Sequence, residues 1–311
     1  MRKIPAALAI LGLATVGHPG CSLPGSDDCS PPVSDAELLD LVQVSGSAGE
    51  APEVDVYTPF HATEGSAATV EQGDGDTTIT RDDQLVVLDF TLLSGETGEP
   101  LVASAYSGDE SNVLSMTQIL QTFPTWGDAL ECASDGSRVV VALAPGDIEA
   151  EAAASLGLAE DDSAIAVIDV NKVYLGAADG DNQFNSGTGL PTVVRAPDGR
   201  PGLIIPGSAA PDDVVVQTLK KGDGPVVEGD LPVRTHMLAV SWDDKEQLKT
   251  TWDSQPESIT LEGDPVLAEA LEGQTVGSQV LVVVPAETGG TEQATAFVFD
   301  ILGLDAAAPT Q

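Results

Sequence analysis

Basic residues are scarce in this chain. Its 311 residues contain 12 Lys and Arg against 50 Asp and Glu, so the formal net charge is −38. A surface of that sign repels nucleic-acid phosphates and anionic lipid headgroups, which excludes nucleic acid and a bare membrane surface as partners. The same charge keeps a protein soluble, and we expect a monomer with a solvated acidic surface.

Residues for metal and nucleophilic chemistry are also few. The three histidines, His18, His61 and His236, are far apart in the sequence, which argues against a zinc site. The chain has no Gly-x-Ser-x-Gly turn and no Gly-rich loop followed by Lys-Ser or Lys-Thr, which argues against a serine hydrolase and against nucleotide binding. The acidic runs Asp74–Asp76 and Glu160–Asp162 lack the spacing of a calcium loop. We therefore expect no cofactor and no metal.

The N-terminal apolar run is short. Ile4–Val16 cannot cross a bilayer as a helix, but it follows two basic residues and precedes Gly20-Cys21-Ser22, as in bacterial lipoprotein signals. We predict a signal peptide over 1–20 and an exported protein, anchored to the cell membrane only through a lipid on Cys21. Cleavage without lipidation remains an alternative. Residues 21–50, rich in Ser, Pro, Gly and Asp, are predicted to form a flexible tether.

Only three cysteines are present. If Cys21 carries a lipid, Cys29 and Cys132 remain, and two such thiols often pair outside the cytoplasm. We predict a Cys29–Cys132 disulfide that holds the tether to the first domain. Two free thiols are the alternative, with Cys132 a small buried residue where a second copy of the sequence has Gly273.

That second copy is the most informative feature of the chain. Residues 124–141 and 265–282 align without a gap at an offset of 141 residues. Further matched blocks occur in the same order: Gly73–Gly75 with Gly222–Gly224, and Val167–Val170 with Val298–Ile301. The repeated unit is longer than a solenoid repeat of ~20–50 residues, so it is a duplicated domain. We predict domains over 51–175 and 191–305, a linker over 176–190 and a tail over 306–311.

Each copy is predicted to consist mostly of strands. Apolar runs that follow turn residues or end at a proline are typical of strands. These runs are Gln84–Leu92, Val139–Ala144, Ala164–Tyr174, Pro232–Trp242, Val280–Val284 and Ala294–Leu302. One short helix per copy, Trp126–Ala133 or Val266–Glu272, lies between a proline and a glycine. A helix of about two turns needs a sheet to pack against, so the fold class is α+β, mostly β.

The order of these features resembles FKBP-type peptidyl-prolyl isomerases. Gly-Asp-Gly, a strand, Trp252-Asp253-Ser254, the Pro265–Gly277 segment and a last strand with Phe297 and Asp300 follow the order of that family. The resemblance implies, for each copy, an antiparallel half-barrel sheet wrapped around one short helix, with an aromatic-lined pocket between them. The complete layout resembles exported FKBP-like lipoproteins of actinobacteria.

The resemblance also implies site residues in the second copy. Trp252, Asp253 and Phe297 stand at positions of catalytic-pocket residues in the family. Leu267 occupies the place of the tryptophan that floors the pocket, and Met237 the place of a strand tyrosine, so both are implied to contact substrate.

In the first copy, a different set of positions matches the pocket residues of the family. Trp126 is in register with the floor tryptophan, Phe90 with the strand tyrosine and Phe123 with a pocket wall, which implies substrate binding by all three. Ala166 stands where the second copy has Phe297, and Glu149 falls where the family has a loop tyrosine. Neither copy has the complete set.

The resemblance implies a peptidyl-prolyl cis-trans isomerase that assists the folding of exported proteins. Its partners would be unfolded or Pro-containing exported polypeptides. Rotation about an X–Pro bond has a barrier of ~18–20 kcal/mol, and a dry apolar pocket favours the twisted amide, so no nucleophile is needed. The alternative is a non-catalytic binding module or holding chaperone. Trp126, Trp252 and Phe297 could also be simple core residues.

Overall fold

The computed structural model describes residues 29, 34–184, 187–229, 231–286, 288 and 293–306. The predicted signal peptide, Cys21 and the tail beyond residue 306 lie outside the described residues. The described part contains five helices: α1 (Ala36–Leu41), α2 (Met116–Thr122), α3 (Trp126–Leu130), α4 (Ala150–Ser155) and α5 (Pro265–Leu271). In the described residues, every helix is too short or too polar to span a membrane.

Seventeen strands lie in the same described residues. The first eight are β1 (Val42–Ser45), β2 (Glu53–Val56), β3 (Ser66–Glu71), β4 (Leu85–Ser94), β5 (Pro100–Ala103), β6 (Leu114–Ser115), β7 (Ser137–Leu143) and β8 (Ala164–Val173). The others are β9 (Asp181–Asn182), β10 (Thr192–Arg195), β11 (Pro201–Ile204), β12 (Val215–Lys221), β13 (Val233–Ser241), β14 (Gln247–Thr250), β15 (Glu257–Ile259), β16 (Gln279–Val284) and β17 (Thr295–Leu304).

The two copies of the sequence form two antiparallel sheets with the same topology. In the first, the strand order is β3-β7-β8-β4-β5, and β6 pairs with β4. In the second, the order is β12-β16-β17-β13-β14, with β15 paired to β13. The predicted fold class is thus confirmed: each copy is mostly β, with a short helix (α3 or α5) against one face of its sheet.

Both faces of each sheet are covered, which explains the long apolar runs in the sequence. One face of the first sheet packs against α3, around Trp126 and Leu130. Its other face packs against α1, β1 and β2, around Leu38 and Val42. Every residue of β7 and of β16 is buried as a result. A strand buried on both faces shows no apolar–polar alternation.

The flexible tether predicted over 21–50 is wrong for its last part. Asp35 caps α1 by accepting hydrogen bonds from the backbone N–H groups of Glu37 and Leu38. β1 then pairs with β2 along its whole length. The average composition of this segment is polar, but Leu38 and Val42 are buried on the sheet. The segment is also tied to the first domain by the backbone bond from Asp35 N–H to the carbonyl of Ala67.

The linker predicted over 176–190 is also docked in its first half. Ala178 N–H donates to Asp300, and Gly180 N–H donates to the carbonyl of Gly277. β9 adds to the second sheet by pairing with β12. Gly, Asp and Asn residues therefore give turns here that follow the surface of the second domain.

The prediction of one helix per copy holds for the described residues of the second copy but not for the first. α2 and α4 are additional helices in the first copy. Ser115 and Gln118 have the spacing of a capping box, a helix-start pattern that the prediction did not use, although the Ser115 side chain forms no hydrogen bond to the N-terminus of α2.

Candidate functional site

An apolar pocket opens between α5 and the sheet of the second domain, with a volume of about 260 Å³. Most of its lining side chains are apolar: Met237, Ile259, Val266, Leu267, Val282, Val284, Phe297 and Phe299. Lys249, Glu257 and Asp264 complete the lining. Three of the predicted site residues of this domain, Met237, Leu267 and Phe297, are thus brought together.

Local sequence explains how these side chains are placed. Asp264 caps α5 by accepting from the backbone N–H groups of Val266 and Leu267, and a proline occupies the first turn. Phe297 and Phe299 project from the same face of β17 because they are two residues apart, and their rings stack with centroids 5.8 Å apart.

The charged side chains lie at the mouth of the pocket. Lys249 Nζ is 2.6 Å from Glu257 Oε2, and both side chains are about half exposed. This pair joins β14 to β15 across the entrance, and an exposed pair of this kind contributes at most ~1 kcal/mol to stability. The interior of the pocket is therefore lined by apolar side chains.

The first domain has a smaller pocket of about 220 Å³ in the corresponding place. Its lining residues are Leu88, Phe90, Leu114, Gln118, Ile119, Thr122, Phe123 and Trp126. All three residues that the resemblance implied for this domain are present. Phe90 and Trp126 meet edge to face at 5.5 Å, and Phe123 and Trp126 stack at 4.3 Å with planes 10° apart.

Phe123 covers the floor of this pocket. Its ring lies flat on the indole of Trp126, which is only 1% exposed, and among the described residues Trp126 Nε1 has no hydrogen-bond partner. α2, which was not predicted, ends just before Phe123, and Phe123 N–H donates to the carbonyl of Ile119 in its last turn. A ligand would have to displace Phe123 to reach the indole.

Two hydroxyl residues that sequence reasoning missed brace equivalent positions in the two sheets. Ser104 N–H donates to the carbonyl of Phe90, and its Oγ accepts from Phe90 N–H. Thr251 does the same for Met237. The sequence signal for this contact was a hydroxyl residue directly after β5 in one copy and directly after β14 in the other. Both residues lie outside the part of the repeat that aligns without a gap.

Comparison with known proteins finds a relative of similar sequence. The FK506-binding protein of Streptomyces anulatus is 25% identical over 91 residues, which cover 28% of this chain and 73% of that protein. The chain is FKBP-like. No protein-family model matches it.

Solved structures that match also carry FKBP domains. The three FKBP domains of wheat FKBP73 are 11% identical, with a TM-score of 0.31 and coverage of 76% of this chain and 93% of that one. The N-terminal domain of FKBP42 from Arabidopsis thaliana is 20% identical, with a TM-score of 0.28 and coverage of 34% and 100%.

Trp252 and Asp253 lie outside the pocket of the second FKBP-like domain, which corrects their predicted placement. Trp252 stacks on His236 with centroids 4.2 Å apart, and His236 projects from the opposite face of β13 to its neighbour Met237. Asp253 is 64% exposed and pairs with Arg200 at 2.6 Å. The cause is a pair of contacts distant in sequence: Thr251 is hydrogen-bonded to Met237 of β13, and the chain beyond it turns toward Arg200, just before β11.

Other implied positions have structural roles. Ala166 is buried in β8, between Leu92 and Val141 of the neighbouring strands. Glu149 caps α4 by accepting from two backbone N–H groups. Among the described residues, no group of three or more His, Cys, Asp and Glu is arranged to hold a metal ion.

The predicted partners Cys29 and Cys132 are disulfide-bonded, with Cα atoms 5.6 Å apart. The bond joins the segment before α1 to the residues just after α3. Cys132 has φ = +65° and Gly273, its counterpart in the second domain, has φ = +78°. The shared left-handed conformation explains why the second domain keeps a glycine at this place.

His236 provides a pH test of this part of the structure. Burial lowers the pKa of His236 from 6.5 to about 4. Above pH 6.5 the ring is neutral in both states; as the pH falls toward 4, the unfolded chain binds a proton that the folded chain does not. Relative to His236→Gln, the free energy of unfolding should therefore fall by up to about 3 kcal/mol between pH 6.5 and 4. Urea unfolding of both proteins at pH 7, 5.5 and 4.5 measures the difference, and parallel pH profiles would contradict it.

Proposed function

We propose that this protein is an extracytoplasmic FKBP-type peptidyl-prolyl cis-trans isomerase that assists the folding of exported polypeptides. The observation that carries the proposal is the open apolar pocket of the second domain, between α5 and the sheet. The export pattern before Cys21 supports the location. The Cys29–Cys132 disulfide supports it too, because such bonds persist in oxidising compartments.

The pocket can perform this chemistry without a nucleophile. A proline ring between Met237, Leu267 and Phe297 would bring its amide bond out of water. The twisted amide is less polar than the planar one, so a dry site lowers the free energy of the transition state relative to the ground state. At about 260 Å³ the pocket is smaller than typical drug-sized sites of roughly 300–1,000 Å³, which suits a single proline ring.

Leu267→Asp tests the proposal in the mature full-length chain. A carboxylate among apolar side chains would draw water into the pocket or repel the proline ring, so we expect at least a roughly tenfold loss of kcat/KM for an X–Pro peptide. Ile204→Asp introduces the same charge on an exposed residue of β11 and should leave kcat/KM within about twofold of wild type. Equal activity of the two variants and the wild type would refute this placement of the site.

A second candidate is binding without catalysis, as a proline-segment module or holding chaperone. It is favoured by the position of Asp253, which is engaged with Arg200 away from the pocket. The polar side chains that line the pocket, Lys249, Glu257 and Asp264, are engaged in an ion pair or in the cap of α5. A protein that suppresses aggregation of an unfolded client, loses this effect in Leu267→Asp and never accelerates isomerisation would be a binding module.

A further inference from the structure

Tyr174 directly follows the last strand of the first domain, and its side chain is buried between Leu85 and Val87 of that domain and the second domain. The residue is 1% exposed, and its Oη donates to Asp305 Oδ1 at 2.9 Å. Gly303, near the end of β17, leaves room for the ring: a Cβ there would lie 2.5 Å from Tyr174 Cδ1. The backbone continues the contact, because Leu175 N–H donates to the carbonyl of Leu302.

Asp305, the acceptor, is the centre of a nearly buried network. Arg234 of β13 donates to both carboxylate oxygens, with Nε 3.1 Å from Oδ1 and Nη2 2.9 Å from Oδ2. Ser258 Oγ makes a short hydrogen bond to Oδ2. Tyr174 is the donor in this network that comes from the other domain. A buried carboxylate depends on such donors because they replace the water it has lost.

The same network holds one wall of the proposed proline pocket. Ser258 is the central residue of β15, and Arg234 Nη1 also donates to the carbonyl of Pro256, just before that strand. The neighbours of Ser258, Glu257 and Ile259, both line the pocket. β15 has three residues and, among the described strands, pairs with β13 alone, so these side-chain contacts supplement a short backbone ladder.

We propose that Tyr174 is a positioning residue for the pocket of the second domain. Its hydroxyl fixes Asp305, Asp305 fixes Ser258 and Arg234, and these fix β15. The first domain thereby contributes to substrate binding in the second, whether or not its own covered pocket binds anything. The inference rests on the proposed function for its kinetic readout, while the position of β15 can be measured independently.

Tyr174→Phe isolates the hydroxyl. Two cations lie over the ring, with Lys172 Nζ at 5.6 Å and the guanidinium carbon of Arg234 at 5.7 Å from its centroid. These contacts and the backbone bond of Leu175 remain in the variant, so the domains stay docked. Asp305 alone loses a donor, and the disturbance passes to β15.

The experiment measures X–Pro isomerisation and hydrogen–deuterium exchange in the full-length chain. For Tyr174→Phe we expect KM to rise about three- to tenfold with kcat within about twofold, and the amides of β15 to exchange several-fold faster. Tyr57→Phe is the matched control, because Tyr57 is an exposed tyrosine of the first domain; it should change neither quantity. Ser258→Ala should produce the same two effects, and combining it with Tyr174→Phe should be less than additive.

Unchanged exchange of β15 in Tyr174→Phe would overturn the inference, and so would an unchanged KM in a protein whose kcat/KM responds to Leu267→Asp. If kcat/KM does not respond to Leu267→Asp, the proposed placement of the active site fails instead. The exchange of β15 then decides the inference by itself.

Discussion

Arg138→Ala is expected to lower the free energy of unfolding by about 3–5 kcal/mol, because it leaves a buried carboxylate without its counter-charge. Arg138 and Asp169 side chains are both 0% exposed. Two hydrogen bonds join them, from Nε to Oδ1 at 2.6 Å and from Nη2 to Oδ2 at 2.7 Å. The guanidinium also donates to the carbonyls of Gly46 and Glu50, which lie between β1 and β2.

Urea unfolding followed by circular dichroism gives the measurement. Lys249→Ala is the matched control, since it removes one half of an exposed ion pair and should cost no more than ~1 kcal/mol. The double variant Arg138→Ala with Asp169→Ala should recover part of the loss, because the unpaired charge is then gone. A loss below ~1 kcal/mol in the single variant would contradict this account.

In the second domain, the corresponding buried carboxylate has a different partner. Gln279 and Asp300 occupy the places of Arg138 and Asp169, and Gln279 Nε2 donates to Asp300 Oδ1 at 2.7 Å. The positive charge comes instead from Arg195, at the end of β10, whose Nε donates to Gln279 Oε1 at 2.8 Å. Without a direct ion pair, burial raises the pKa of Asp300 to about 6.

Cys29→Ser is the second substitution with a large expected effect. The disulfide closes a sequence separation of 103 residues, and a crosslink over about 100 residues stabilises a protein by roughly 2–5 kcal/mol, mainly through the unfolded chain. We expect a loss of that size in the free energy of unfolding, measured by urea denaturation without reductant.

Reduction serves as the internal control for this prediction. A thiol reductant should destabilise the wild type to the level of Cys29→Ser and should leave the variant unchanged, because the variant has no such bond to break. A wild type that is insensitive to reductant, after loss of the disulfide is verified by mass, would contradict the prediction.

Much of the fold could be predicted because each sheet is specified by local patterns. Valine-rich runs predicted the three central strands of each sheet, and the paired prolines and glycines predicted α3 and α5. The aromatic group of the first pocket was implied by the resemblance to the FKBP family, in which Trp126, Phe90 and Phe123 stand at pocket positions, and the structure brings the three rings together.

The misplaced residues depended on contacts that no local pattern encodes. An aromatic followed by an aspartate predicted a pocket position for Trp252 and Asp253. The direction of that segment is instead set by the bonds of Thr251 to Met237 and by Arg200, about 50 residues earlier. Tyr174 and Asp305 are 131 residues apart, so the link between the domains had no sequence signal.

The docked linker changes where the second folding unit begins. β9 supplies the outermost strand of the second sheet, although it precedes the repeat by several residues. Without it, the backbone of Lys220 and Lys221 at the end of β12 would be a bare edge, which is a template for pairing with other chains. The repeat seen in the sequence is thus shorter than the unit that folds, and the boundary between the two domains runs through residues that serve both.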